Sequence, residues 1–368
     1  MMRWLRATAL ALLGLVCLVG CSKPEPLRIG FLAELTGRNA DVAESQRNGL
    51  MVALELHKQQ GLLKGREVEV VVRDTGSQAD TARLAAEKIA AEKVDIVIGP
   101  VTSGMVDALL PTLTAHNTVL LTPSASAVKF FGQDDLLFRI NLTTRDNGRN
   151  YARHVRQRGI QRVAAAMNEN NRAFSESWLT EFEAAFNALG GRVVAVEPFD
   201  SQSSNHTDLV RRLLLPKPQA LLVIGNAVDT ARLAQQTRKV DTQIPLVAAE
   251  WAGSDQLITL GGAAVEGLLI MQNFDQEDTS PMYQRFVSLY RQRFGVDPVY
   301  GSVLAYDATT VALMALTSKQ AGMTTKQALL AHGPYPGLQQ QVAFDANGDT
   351  QRGAYLMVVR NGRFNRVP

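Results

Sequence analysis

The chain alternates short apolar segments, rich in β-branched residues, with longer segments in which apolar residues recur at the period of a helix. An apolar run on successive residues predicts a strand buried on both faces, and a helix between two such strands predicts a right-handed crossover in a parallel sheet. The first part of the chain therefore predicts strands over Leu27–Leu35, Arg66–Asp74, Asp95–Gly99 and Thr118–Thr122, with helices over Ala43–Gln60, Ala79–Glu92 and Ser103–Ala115.

The same pattern begins again after Asn141. It predicts strands over Val163–Met167, Val193–Phe199, Ala220–Gly225 and Leu246–Ala249, with helices over Ser175–Leu189, Thr207–Leu215, Asp229–Val240, Pro281–Phe294 and Val303–Lys319. A last strand over Ala354–Val359 precedes Asn361-Gly362, a pair of residues that favours a hairpin turn. Two such runs, in a chain too long for one compact core, predict an α/β protein with two doubly wound parallel-sheet lobes.

Residues 1–20 have the features of a secretory signal peptide. Arg3 and Arg6 precede an apolar run from Ala7 to Gly20, which is shorter than the about 20 residues that a membrane-spanning helix needs. The sequence Leu18-Val19-Gly20-Cys21 resembles the bacterial lipobox. That resemblance implies cleavage before Cys21 and attachment of a diacylglycerol, with acyl chains such as palmitate, to its sulfur. The alternative is an ordinary secreted protein with a chance cysteine.

Residues 21–26 then form a short polar tether between the lipid and the folded part. Ser22, rather than an aspartate, follows Cys21, and this resembles the signal that sorts lipoproteins to the outer membrane of Gram-negative bacteria. The sequence therefore predicts a protein of the cell envelope that is anchored by lipid on the periplasmic side of a membrane.

Charge and cysteine content argue against a nucleic-acid-binding protein and against one that disulfides stabilise. The chain has 38 basic and 35 acidic residues, and without Arg3 and Arg6 these charges nearly cancel. No basic stripe is visible, so a nucleic-acid partner is not expected. The two cysteines are Cys17, within the signal peptide, and Cys21, so the mature protein contains no disulfide.

The usual catalytic and cofactor-binding signatures are absent from the sequence. Its five histidines are scattered, and no pair has the spacing of metal ligands. The chain contains no nucleophile elbow, no P-loop and no dinucleotide-binding glycine motif. We therefore expect a binding protein without cofactor or metal, and not an enzyme.

Candidate ligand contacts follow two predicted strands of the first run. Ser103 follows the strand Asp95–Gly99, where it fits the N-cap of the next helix, and Ser124 and Ser126 follow Thr118–Thr122. Open α/β sheets bind ligands at the carboxyl ends of their strands, and a helix N-terminus attracts anions. Two hydroxyl clusters there are suited to hold a carboxylate. The alternative is that all three serines only cap turns and helices.

The second run offers an acidic residue at the corresponding place. Glu250 and Trp251 follow the strand Leu246–Ala249. A carboxylate at this end of a sheet is suited to pair with an ammonium group, over which the indole closes. The alternative is a carboxylate on the rim beside a half-buried tryptophan.

Several short motifs, taken in order, resemble the type I periplasmic binding proteins of the leucine/isoleucine/valine-binding kind. They are Ile29-Gly30-Phe31, Leu35-Thr36-Gly37, Asn48-Gly49, Val97-Ile98-Gly99-Pro100, Thr122-Pro123-Ser124-Ala125-Ser126, Tyr306-Asp307-Ala308 and Phe344-Asp345-Ala346-Asn347-Gly348-Asp349. The resemblance implies two lobes that are joined by three crossing strands, near residues 139–143, 271–275 and 338–343. Lobe 1 then comprises residues 27–141 plus 275–339, and lobe 2 comprises residues 142–274 plus 340–368.

The same resemblance assigns roles to the candidate residues. It implies that Ser103, Ser124 and Ser126 contact an α-carboxylate, that Glu250 contacts an ammonium group, and that Phe174 flanks the ligand. An amino acid or related small polar ligand would be delivered to an ABC permease. The alternative is a sensor that uses the same cleft to report its ligand to a membrane signalling receptor.

Overall fold

The computed structural model describes residues 24–367 and consists of two sheets flanked by helices. The predicted signal peptide and the predicted lipidation site at Cys21 lie outside the described residues. The α/β class that the hydrophobic pattern predicts is confirmed.

The first sheet has five parallel strands in the order β2-β1-β3-β4-β5. They are β1 (Leu27–Ala33), β2 (Val68–Asp74), β3 (Ile96–Ile98), β4 (Leu120–Thr122) and β5 (Leu137–Arg139). Three helices connect the first four strands, namely α1 (Ala40–Gln59), α2 (Ala79–Ala91) and α3 (Ser103–Ala115). The central strands β1 and β3 are almost wholly buried, as continuous apolar runs predict.

The second sheet has seven strands in the order β12-β11-β10-β9-β8-β6-β7. They are β6 (Arg162–Asn168), β7 (Arg192–Phe199), β8 (Ala220–Ile224), β9 (Leu246–Ala248), β10 (Leu269–Gln272), β11 (Tyr355–Arg360) and β12 (Arg363–Arg366). The strands from β6 to β10 are parallel, whereas β11 is antiparallel to both of its neighbours. The predicted hairpin turn is confirmed, since Asn361 and Gly362 have φ angles of 52° and 66°.

Eight further helices complete the described part of the chain. They are α4 (Thr144–Gln157), α5 (Arg172–Ala188), α6 (His206–Leu214), α7 (Ala227–Val240), α8 (Asp255–Gly261), α9 (Pro281–Phe294), α10 (Tyr300–Ser318) and α11 (Thr325–Ala331). Helix α10 packs against α1 so closely that a Cβ atom on Gly49 would lie 2.1 Å from the carbonyl oxygen of Ser302. Glycine within α1 is therefore a packing requirement, although it weakens an isolated helix.

Apolar clusters cover both faces of each sheet. One face of the first sheet packs against α1, α9 and α10, and its other face packs against α2 and α3. The second sheet is covered on one face by α6 and α7 and on the other by α4 and α5. Phe274 and Leu338 belong to the cluster beside the first sheet. The predicted lobe boundaries and the three crossing segments stay predictions.

Five elements were missing from the prediction: β5, β10, α4, α8 and α11. Most of them are short, and α4 has 14 residues but is strongly polar. Its buried residues include Thr144, Asn147 and Gly148 beside Tyr151 and Val155, so only its second half has apolar residues at helical spacing. Its clearest signal is the N-cap, where the Thr143 hydroxyl accepts a hydrogen bond from the amide of Asp146.

Candidate functional site

A narrow cavity lies between the carboxyl ends of strands from both sheets. The six residues that the sequence predicts as ligand contacts all line it, namely Ser103, Ser124, Ser126, Phe174, Glu250 and Trp251. Its other walls come from Val101, Thr102, Ala125, Asn141, Asn171, Met271, Gln272, Asn273 and Tyr300. The structure thus brings the predicted residues together. Their contacts with a ligand remain a prediction.

The sequence predicts that Ser103 is the N-cap of its helix, but the structure places the cap one residue earlier. The N-cap of α3 is Thr102, whose hydroxyl accepts a hydrogen bond from the amide of Met105, because Thr102 has the extended backbone of a cap. Ser103 is the first helical residue, and its Oγ accepts hydrogen bonds from the amides of Ser126 and Ala127, at 3.2 and 3.1 Å. The Ser103 hydroxyl therefore joins the two turns that follow β3 and β4 and keeps its own proton available for an acceptor.

Ser124 is held by two buried partners. Its Oγ donates to the carbonyl of Val101 at 2.7 Å and accepts from Nε2 of Gln46 at 2.8 Å. Gln46 lies in α1, is fully buried and was not predicted as part of the site. Its signal was weak, since it is one polar residue on a helix whose other buried positions include serine, asparagine and histidine.

The turn before Ser103 is fixed by a buried carboxylate, Glu34. It accepts hydrogen bonds from the amides of Val101 and Thr102, at 2.9 and 3.0 Å, and from the Thr102 hydroxyl at 2.7 Å. Burial raises the pKa of Glu34 above its ordinary value, although these hydrogen bonds oppose the shift. Glu34 therefore holds the turn between β3 and α3 in place, but it does not line the cavity.

Glu250 occupies the opposite wall and is almost fully buried. Its Oε1 accepts from Nδ2 of Asn147 at 2.7 Å, and its Oε2 accepts from the indole N–H of Trp178 at 2.9 Å. Burial raises its pKa above the ordinary value of 4.5, and the two hydrogen bonds oppose this shift. A positive charge placed beside Glu250 would recover the free energy that burial of this carboxylate costs.

The indole that contacts Glu250 is that of Trp178, and the closure of Trp251 over an ammonium group stays a prediction. Trp178 lies in α5 and is fully buried against Tyr151 and Phe182. Trp251 instead forms an edge-to-face pair with Phe174, with ring centroids 5.7 Å apart. Phe174 and Trp251 thus form an aromatic side of the cavity.

Residues 38–41 contact the part of the chain around the second sheet outside the cavity. The Arg38 guanidinium donates to Oδ1 of Asp229 at 3.3 Å and to the carbonyl of Ser201 at 2.6 Å. Asn39 accepts from the indole N–H of Trp251 at 3.2 Å, and Asp41 accepts from the Ser254 hydroxyl at 2.6 Å. These contacts close the cleft beside the cavity.

The lining residues are suited to binding rather than to bond cleavage. None of the described residues that line the cavity is a histidine, so the serine hydroxyls have no imidazole base. Within residues 24–367, no group of three or more histidine, cysteine, aspartate or glutamate side chains could hold a metal ion. No helix in the same range is long and apolar enough to cross a membrane.

Comparisons with known proteins agree with this geometry. The family model described as "Periplasmic binding protein" matches residues 26–363. A leucine-, isoleucine-, valine-, threonine- and alanine-binding protein of Pseudomonas aeruginosa is 22% identical over 291 residues, which cover 78% of this chain and 77% of that protein. The prediction that the chain is not an enzyme is confirmed, since its relatives are binding proteins.

Solved structures show the same fold. A leucine-binding protein from Thermotoga maritima has a TM-score of 0.85 and 24% identity, covering 93% of this chain and 98% of that one. A solute-binding protein of an ABC transporter from R. palustris, solved in complex with benzoate, has a TM-score of 0.83 and 19% identity over 93% of this chain and 95% of that one. This chain belongs to the periplasmic binding protein family, and within it to the type I proteins of the leucine/isoleucine/valine-binding kind.

Proposed function

We propose that this chain captures an amino acid or related small polar ligand between its two lobes and delivers it to an ABC importer. The supporting observation is that Glu250 faces the cluster of Ser103, Ser124 and Ser126 across one cavity. A zwitterion has one charge for each wall. Because the two walls belong to different sheets, only the closed arrangement offers both contacts, and this difference in affinity favours closure.

Closure of the two lobes needs a hinge, and we propose that it lies in the three crossing segments that the family resemblance implies, near residues 139–143, 271–275 and 338–343. Residues 27–141 plus 275–339 would move as lobe 1, and residues 142–274 plus 340–368 as lobe 2. Leu338 packs with the core beside the first sheet, in support of its place in lobe 1, and Phe274, the last residue of the 142–274 range, packs there as well. The buried Arg139 pairs with Asp349, so it ties the first crossing to the chain after the third.

A thermal-shift screen of the purified protein against the common amino acids and their amides tests this function. A ligand at a hundredfold excess over its Kd is expected to raise the free energy of unfolding by about 2.7 kcal/mol. Aliphatic alcohols of similar size serve as controls, because they lack both charged groups. If no amino acid or amide raises the melting temperature, the proposed function is wrong.

A periplasmic binding protein acts outside the cytoplasm, and we propose that this one is tethered there by lipid on Cys21. Replacing Cys21 with serine is expected to move the protein from the detergent phase to the aqueous phase in a phase-partition experiment, because only a thiol accepts the thioether-linked lipid. Cys17→Ser is the matched control and should partition as the unchanged protein does. Equal partitioning of both variants would contradict lipidation at Cys21.

A further inference from the structure

Four buried amide oxygens surround the cavity without a hydrogen-bond donor. They belong to Gln46, Asn147, Gln272 and Asn273, and no partner for any of them exists among the described residues. Gln272 and Asn273 line the cavity, at the end of β10. Gln46 and Asn147 stand directly behind two lining residues, Ser124 and Glu250. The site therefore has more acceptors than the protein itself can satisfy.

The orientation of each amide is set by its partner. Nε2 of Gln272 donates to the carbonyl of Gly253, at 3.4 Å, so its oxygen is the free atom. Nδ2 of Asn273 donates to Oδ1 of Asn141. Asn141 is itself fixed, because its Nδ2 donates to the Ser124 carbonyl and its Oδ1 accepts from the Leu142 amide, both at 2.8 Å. Turning any of these amides around would place two donors or two acceptors against each other.

The two amides behind the wall are fixed in the same way. Asn147 must present its NH₂ group to the carboxylate of Glu250, which only accepts when ionised. Gln46 must donate to Ser124, since the Ser124 proton is used on the Val101 carbonyl. All four oxygens are consequently acceptors, and Gln272 and Asn273 are the two that a ligand can reach.

A buried acceptor without a donor disfavours the closed arrangement, and a ligand that supplies N–H groups removes this disadvantage. Glu250 is the only acidic side chain among the described residues that line the cavity, and the ligand's ammonium group would use it. A second cation would then lack a counter-charge, so the additional donor must be neutral. An aliphatic side chain has no donor at all.

We infer that the ligand is an amino acid whose side chain ends in a neutral N–H donor, a carboxamide or a ureido group, bound against Gln272 and Asn273. This inference rests on the proposed function and names its substrate class. The aromatic side formed by Phe174 and Trp251 then packs against the flat face of the amide or ureido group.

Isothermal titration of the full chain in detergent with asparagine, leucine and aspartate tests the inference. The three side chains have the same number of non-hydrogen atoms, so the comparison isolates the donor. Asparagine, its longer homologue glutamine or the ureido amino acid citrulline is expected to bind at least about tenfold more tightly than leucine. Aspartate should bind more weakly than asparagine, because its carboxylate would meet the two amide oxygens.

Substitutions of Gln272 and Asn273 test whether these two side chains cause the preference for an amide ligand over leucine. Gln272→Leu and Asn273→Leu are each expected to reduce the preference for the amide over leucine by about tenfold, while binding of leucine itself is kept. Gln243→Leu, at an exposed position away from the cavity, is the matched control and should leave the preference unchanged. Continued binding of leucine shows that a variant still folds.

The outcomes separate the two claims. If leucine binds more tightly than every amide or ureido amino acid, the inference is wrong and the proposed function stands. If arginine or lysine binds most tightly, the neutral donor is wrong. If no amino acid binds, the proposed function fails, and the inference fails with it.

Discussion

Replacing Glu250 with glutamine is expected to weaken the binding of amino acids by roughly 30-fold to several-thousand-fold. This range corresponds to the about 2–5 kcal/mol that loss of one partner from a buried, hydrogen-bonded charge pair costs. Glutamine keeps the shape of glutamate and can still accept the Trp178 indole N–H, so the change removes charge with little change in packing. Titration calorimetry with the ligand found in the screen measures the effect.

The control for this variant is a ligand without the amino group. A carboxylate analogue of the same ligand lacks the charge that Glu250 pairs with, so its affinity should change little between the two proteins. Glu277→Gln, at an exposed position, should bind both compounds as the unchanged protein does. Equal losses for the amine and for its analogue would show that glutamine disturbs the cavity rather than the charge pair.

The dependence on pH provides a second measurement of the same pairing. Because burial raises the pKa of Glu250 above 4.5, this carboxylate becomes protonated at a higher pH than an exposed glutamate. An ammonium group favours the ionised form, so binding of the amine displaces that proton when the pH is below the pKa of the free protein. Affinity should therefore fall as the pH is lowered through this pKa. In Glu250→Gln this part of the pH dependence should disappear.

The sequence predicts the lining of the cavity well because topology determines it. Ser103, Ser124 and Glu250 each follow an apolar run, and the carboxyl ends of parallel strands converge at one edge of a sheet. An alternation of strands and helices therefore places such residues together before any side-chain contact is known. Trp251 follows one of these strands, whereas Phe174 came from the resemblance to the family, and the spacing of apolar residues alone would not have found it.

The residues that support these side chains could not be predicted in this way. Trp178 and Asn147 meet Glu250 from two helices, and no period in the sequence relates a buried indole to a carboxylate 72 positions away. Asn147 also lies in α4, where polar residues at the buried positions of the first half leave few apolar residues to indicate a helix. Gln46 and Glu34 are similar cases, because the partner that makes each of them necessary is brought near only by the folded chain.

The antiparallel edge of the second sheet could be predicted from the sequence only in part. The turn Asn361-Gly362 was recognisable because both residues must adopt positive φ. The pairing of β11 with β10 was not, since their residues are separated by about 85 positions and nothing local specifies the partner. The residues of the turn thus determine the hairpin of β11 and β12, whereas tertiary packing determines that β11 pairs with β10.

Replacing Asp307 with alanine is expected to lower the free energy of unfolding by about 3–5 kcal/mol, the usual cost of leaving one member of a buried ion pair without its partner. Asp307 lies in α10, and its Oδ2 accepts from the Arg352 guanidinium at 2.7 Å. The two side chains are 0% and 1% exposed. Two other nitrogens of Arg352 have no partner among the described residues, so without Asp307 its charge would be buried alone.

Urea unfolding, followed by tryptophan fluorescence, measures this change. The exposed pair of Arg291 and Asp297 provides the matched control, since both side chains are 61% exposed. Asp297→Ala is expected to change the free energy of unfolding by at most about 1 kcal/mol, because water screens an exposed pair. A loss for Asp307→Ala as small as that of the control would contradict the assigned role of the pair.

The double variant Asp307→Leu with Arg352→Met separates the charge pair from the packing around it. Removing both charges together and filling the space with apolar side chains should recover most of the stability that Asp307→Ala loses. Asp307 also accepts the amide of Leu338 at 2.8 Å, so the pair connects α10 with the start of the proposed third crossing and with the chain after it. If the double variant is stable but binds its ligand more weakly, the pair acts on the hinge. If its affinity is unchanged, the pair contributes only to folding.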